Sequence, residues 1–86
     1  PMMHNLVLVK PGSRIEIVTA AATMGAAGMA NSFVPDSDKV LAATPLVLTG
    51  NTYKLYFKAP TTPGKYEYIC TYPGHGLTMW GTLVVE

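Results

Sequence analysis

The chain has 86 residues, enough for one domain over 1–86, and a formal net charge of +1 with only 13% charged residues, which leaves no basic field for nucleic acid and no acidic one for a basic partner. At 49% hydrophobic it is too apolar for a disordered chain, and its 8 Gly and 7 Pro interrupt it too often for a helical bundle. A single cysteine excludes an internal disulfide and a zinc site built from four cysteines.

The start, Pro1-Met2-Met3-His4, lacks the basic segment and apolar core of a signal peptide, and no apolar run approaches a membrane span. A leading Pro is expected of a processed product or of a piece of a longer polypeptide. Leu6-Val7-Leu8-Val9 reads as a strand buried on both faces, ended by the turn signal Lys10-Pro11-Gly12. Ser13-Arg14-Ile15-Glu16 fits a capping box, with Ser as N-cap and Glu reaching back. The spacing of Ile15, Val18, Ala22 and Ala26 predicts a helix from Arg14 to about Met24 with those residues inward, against a rival strand at 15–19 where β-branched residues cluster. Gly25 and Gly28 end it, and Met24 and Met29 are expected as pliable packing residues.

A Pro-Asp-Ser turn at Pro35 leads to a short strand over 39–44, closed by Pro45, and Leu46-Val47-Leu48 is a brief apolar run before the turn Thr49-Gly50-Asn51. Residues 52–59 carry the clearest strand pattern, Tyr53, Leu55 and Phe57 alternating with Lys54, Tyr56 and Lys58. After Pro60-Thr61-Thr62-Pro63-Gly64, residues 65–71 alternate again, and 81–86 form the last strand. Five or six short strands, frequent turns and one helix predict a β-sandwich with an excursion.

Between the last two strands lies Cys70-Thr71-Tyr72-Pro73-Gly74-His75-Gly76-Leu77-Thr78-Met79, spaced C-x4-H-x3-M. Pro fixes φ and Gly permits φ > 0, so Pro73-Gly74 turns the chain between thiol and imidazole. Thiolate, imidazole and a long axial thioether suit a blue-copper electron-transfer centre, which needs a second imidazole. His4 is the one other histidine, and completes the set His4, Cys70, His75, Met79. Competing readings fare worse. An enzyme fed by such a centre needs further His clusters, a copper-bound thiolate is not free to act as a nucleophile, and a copper carrier or chaperone favours exposed, exchangeable Met- or Cys-rich sites.

On these residues the chain resembles the cupredoxins, and within them the azurin and auracyanin branch. His4-Asn5 before an apolar strand, a helix and loop at about 14–34, Asp38-Lys39-Val40-Leu41-Ala42-Ala43-Thr44, and the Cys70–Met79 loop all match, over essentially the whole chain. The resemblance implies an all-β, cupredoxin-like Greek-key β-sandwich with one helical excursion at about 14–24, N-terminally truncated. It implies one type 1 copper, bound by His4, Cys70, His75 and weakly by Met79, with the Met3 backbone carbonyl as a distant fifth group. Asn5 would tie the ligand loop to the first-ligand strand, and the amides of Asn5 and Tyr72 would point at the Cys70 sulfur. Met2, Pro73, Gly74, Gly76 and Leu77 would surround the exposed edge of His75 as a surface for a redox protein partner, such as a c-type cytochrome or a dehydrogenase, in a periplasmic or otherwise extracytoplasmic setting. Trp80 is expected near the surface, pointing away from copper. Members of this branch carry a substantial segment before the first ligand. A sheet edge and part of the core are therefore expected to be open, to be covered by a parent chain (such as a larger extracytoplasmic oxidoreductase of which this would be the C-terminal copper module), another subunit or a copy of the chain.

Overall fold

Val7, Leu8 and Val9 are buried on both faces because they run through the middle of a sheet. In the computed structural model, which describes residues 3–86, they form β2 (Val7–Val9), paired antiparallel with β3 (Val40–Ala43) on one side and β5 (Gly64–Ile69) on the other. β6 (Trp80–Val85) pairs with β5, giving the order β3-β2-β5-β6. A second sheet holds β1 (Met3–His4) against β4 (Val47–Leu48), with His4 opposite Val47. Of the three passages between the sheets, the first two are short crossings, at 5–6 and at 44–46. The crossings are tied together: the Leu6 amide donates to Thr44 Oγ1 and the Thr44 amide to the Leu6 carbonyl, both at 2.9 Å. Two antiparallel sheets with a few short helices are the expected all-β architecture.

One face of the four-stranded sheet is covered by helix α1 (Arg14–Ala22). Ile17 fills the contact with Val7, Val9 and Ile69, ringed by Val18, Val34, Val40 and Ala43. The helix forms where expected, but rotated. Ile17 and Ala21 face the sheet, whereas Ile15 is 54% exposed. Ile15 and Ile17, with the valine and alanines that follow, offer two apolar helical stripes, and only the sheet decides which one is used. The capping box does not form. Ser13 sits at φ −100°, ψ 0°, outside the extended conformation that would bring its hydroxyl to the helix amides, and caps nothing with its side chain. Glu16 turns instead to Lys39 Nζ, 2.5 Å away, and its hydrogen bond and charge hold the Lys39 pKa above its ordinary value.

A second short helix, α2 (Ala27–Ala30), follows a turn at Gly25 (φ +61°) and was not legible from the spacing of Gly25 and Gly28. Gly28 lies beneath the Phe33 ring, where a Cβ would fall 2.0 Å from Cε1, so only glycine fits. Met24 is half-buried, but Met29 is 54% exposed, because the inward position of this single turn is taken by Gly28.

The clearest alternating pattern is not used as a strand. Residues 51–60 form no ladder among the described residues, and Tyr53, Tyr56 and Phe57 are exposed. Alternation reports that a segment could line a sheet face, but a strand also needs a neighbour to take its hydrogen bonds. The second face of the four-stranded sheet is correspondingly open. Leu6, Leu8, Tyr68 and Leu83 line an apolar groove with Phe57 as the one residue of 51–60 against it. Tyr68 lies across its strand partner Gly81, filling the space a Cβ would need.

The rotation of α1 has a direct test. Ile17→Ala is expected to cost about 2–4 kcal/mol, the range for emptying a closed core site, whereas Ile15→Ala stays within about 0.5 kcal/mol. Urea unfolding of the two variants checks this, and equal losses would contradict the packing described.

Candidate metal centre

The Cys70–Met79 loop is closed at its base by the Cys70 amide, which donates to the Met79 carbonyl at 3.0 Å. Inside, the His75 amide donates to the Tyr72 carbonyl at 2.9 Å around a turn in which Gly74 has φ +87°. The amides of Thr78 and Met79 both return to the His75 carbonyl, at 3.1 and 2.8 Å. The x3 spacing therefore folds as one helix-like turn, which brings Met79 back over the loop. Met79 and Cys70 line a common groove with Asn5, Leu6 and Tyr68.

β1 delivers the remaining residue. Cys70 Sγ lies 3.7 Å from His4 Nδ1 and 3.6 Å from His75 Nδ1, and these candidate donor atoms all lie within 4.8 Å of one another. The thiol is buried and the two imidazoles are half-buried, with ring centroids 5.0 Å apart. The set fits a single metal ion. Metal–sulfur and metal–nitrogen bonds of about 2.3 and 2.0 Å, opened to a near-trigonal angle, separate sulfur from nitrogen by about 3.7 Å. Met3 sits in β1 opposite Leu48, one residue before His4.

The residues that follow the first histidine and the cysteine fasten the two halves together. Asn5 Nδ2 donates to Thr71 Oγ1 and the Thr71 amide donates to Asn5 Oδ1, each at 2.8 Å. The same groups reach the loop after α2: Asn5 Nδ2 donates to the Ser32 carbonyl at 2.8 Å and Thr71 Oγ1 to the Phe33 carbonyl at 2.6 Å. Ser32 and Phe33 both have φ +54°, a left-handed backbone that costs non-glycine residues about 1–3 kcal/mol each and that turns both carbonyls inward. Phe33 then meets Tyr72 edge-on at 5.5 Å, and Tyr72 lies 5.0 Å from the His75 ring. Asn5 and Tyr72 thus act here through side chains. Thr71, Ser32 and Phe33 were missed because nothing in their spacing marks them; the one available signal was Thr71 beside the cysteine.

A second support comes from α1. Arg14 Nη1 donates to the Gly76 carbonyl at 3.1 Å, its Nε pairs with Glu67 Oε2 at 3.2 Å, and its guanidinium lies 4.2 Å from the centroid of the Trp80 ring. Gly76 is accordingly not on the surface expected around His75. It is buried against Val18, where a Cβ would fall 2.4 Å from Cγ2. Pro73, Gly74 and Leu77 are exposed, as is Trp80, and Met2 lies outside the described residues.

The whole chain, residues 1–86, matches the model of a family described as copper binding proteins, plastocyanin/azurin family. Auracyanin-A of Chloroflexus aurantiacus is 40% identical over 83 residues, covering 96% of this chain and 51% of that protein. Azurin iso-2 of Methylomonas sp. is 39% identical over 88 residues, covering 99% and 66%. The solved structure of the Methylomonas azurin iso-2 superposes with a TM-score of 0.85 at 36% identity, covering 99% of this chain and 66% of that one. That of auracyanin A gives 0.84 at 36% identity, covering 99% and 68%. The chain thus spans about half to two thirds of the length of these relatives, and its architecture is the azurin and auracyanin fold.

Thr71→Val keeps the side-chain shape but removes a buried donor and acceptor, leaving the Phe33 carbonyl unpaired. A loss of about 1–3 kcal/mol is expected, read by urea unfolding of the metal-free protein. An unchanged midpoint would remove Thr71 from the framework of the site.

Proposed function

Because the chain belongs to the plastocyanin/azurin family of copper-binding proteins, we propose that it is a type 1 blue-copper electron carrier, not an enzyme. Its ligands are His4 and His75 through Nδ1, Cys70 through Sγ and Met79 as a weak axial group, with the Met3 carbonyl as a distant fifth. The observation that carries this reading is the approach of Cys70 Sγ to both imidazoles, at 3.7 and 3.6 Å, in a loop that folds Met79 back into the groove Cys70 lines. Bound copper supplies a one-electron couple that needs no vacant coordination position.

The residues divide the remaining work. Cys70, buried, keeps its sulfur from solvent and from other thiols. Asn5 and Thr71 fix the distance between the His4 strand and the Cys70 loop, and the backbone amides of Asn5 and Tyr72 would face the sulfur and tune it. With Nδ1 turned inward, the Nε2 edge of the half-buried His75 is the route outward for an electron. Exposed Pro73, Gly74 and Leu77 around it make an apolar docking rim, to which Met2 would add. Such a rim suits a transient partner that buries little area, a redox protein such as a c-type cytochrome or a dehydrogenase, in an extracytoplasmic compartment. Among the described residues no helix is long and apolar enough to cross a membrane. The 1–86 unit is read as one cupredoxin-like domain whose open groove is covered by a parent chain, another subunit or a second copy. A copper-delivering carrier or chaperone role is disfavoured by the buried thiol and the closed loop.

Adding Cu(II) to the metal-free protein is expected to produce an intense visible band from thiolate-to-copper charge transfer. Cys70→Ser abolishes the band, while Met79→Leu keeps a coloured site with a shifted reduction potential. A wild-type protein that binds Cu(II) without colour would overturn the electron-transfer reading.

A further inference from the structure

Arg14, the first residue of α1, touches β5, the Cys70–Met79 loop and β6. Its Nε pairs with Glu67 of β5 at 3.2 Å, its Nη1 donates to the carbonyl of Gly76 at 3.1 Å, and its guanidinium covers the ring of Trp80 of β6 at 4.2 Å. Glu67 and Trp80 lie on the strands that enter and leave the loop. Gly76 immediately follows His75, and Trp80 immediately follows Met79. The contact is no loose surface pair, since the Arg14 and Glu67 side chains are only 19% and 21% exposed. One helical turn further along α1, Val18 packs so closely on buried Gly76 that a Cβ there would fall 2.4 Å from it. The helix therefore meets the second half of the loop twice on one face, once through a charged hydrogen bond and once through apolar contact.

We infer that Arg14 is a positioning residue, which fixes where His75 and Met79 stand relative to Cys70. What the loop holds rests on the copper reading above, but the clamp itself does not. Without it the 75–79 segment keeps its two turn hydrogen bonds to the His75 carbonyl, the His75 amide's bond to Tyr72, the Cys70 amide's bond to the Met79 carbonyl and the apolar contact of Gly76 with Val18. With it the segment is fastened to a helix that is packed on the sheet through Ile17. The guanidinium is suited to the task because its planar, fixed donors meet a carboxylate, a carbonyl and an aromatic face together, which a lysine ammonium cannot do. Glu67 balances its charge, so the effect on the site is one of geometry.

The test uses metal-free and copper-loaded protein with the variants R14M and R14K. In the metal-free protein, amide hydrogen exchange at Thr78 and Met79 is expected to accelerate by about tenfold or more in R14M. R14K accelerates it as well, because the charge remains but the three-way geometry does not. Amides of the β5–β6 ladder keep their wild-type rates. In the loaded protein, R14K shifts the charge-transfer band and the reduction potential although the charge is unchanged. Unchanged loop exchange in R14M, uniform acceleration of loop and ladder alike, or an R14K protein indistinguishable from wild type would each overturn the proposal. If R14M does not fold, R14K decides. A wild-type protein that stays colourless with Cu(II) would instead overturn the copper reading, and the metal-free exchange would still decide the role of Arg14.

Discussion

Asn5 and Thr71 stand 66 positions apart and exchange two hydrogen bonds of 2.8 Å between a side-chain amide, a hydroxyl and a backbone amide. Each is the residue immediately after a proposed copper ligand. The pair therefore sets the register between the strand carrying His4 and the loop carrying Cys70, which no ladder of the sheets does directly: β1 pairs with β4, and β5 ends before Cys70. The same side chains bond the carbonyls of Ser32 and Phe33, so a segment with two left-handed residues is held by the network it completes. Among the described residues no buried side-chain nitrogen or oxygen is left without a partner. In a low-dielectric interior that completeness is what makes such a network rigid rather than costly.

The loop is braced from two directions by different physics. On one side Phe33 and Tyr72 pass aromatic contacts on to the His75 ring. On the other, α1 presents Arg14 and Val18 to Gly76. Between these braces the buried sulfur faces two imidazoles that come from opposite ends of the chain. A carrier of single electrons works best when its ligands move little between oxidation states. Two braces that act without copper would serve that need, because they fix the donor positions before the ion arrives.

The surface that adjoins the site through Leu6 and Tyr68 is built differently. The groove of Leu6, Leu8, Tyr68 and Leu83, with Phe57 against it, is apolar but only partly covered, and residues 51–60 run beside it without a ladder. The curated relatives are longer, so the azurin-type fold here is carried by half to two thirds of their length. Leu6 and Tyr68 line both this groove and the one that Cys70 and Met79 line, so whatever covers the apolar groove also borders the site.

The sequence by itself determined the chemistry and most of the elements. C-x4-H-x3-M around Pro73-Gly74, with His4 as the one remaining imidazole, names a soft three-plus-one donor set, because ligand type and local turn geometry are properties of a few adjacent residues. β2, β3 and the extent of α1 were legible for the same reason. What only the tertiary structure decided were the matters that depend on a distant partner. Which stripe of α1 faces inward required the sheet, since Ile15 and Ile17 are equally apolar. Whether 52–59 becomes a strand required a neighbour to pair with it. Ser13 and Glu16 had the residues for a capping box, yet Lys39 drew Glu16 away and the Ser13 backbone turned elsewhere. Thr71, Phe33 and Arg14 carry no local signature, because their role lies in contacts that span 38 to 66 positions and exist once the chain has folded.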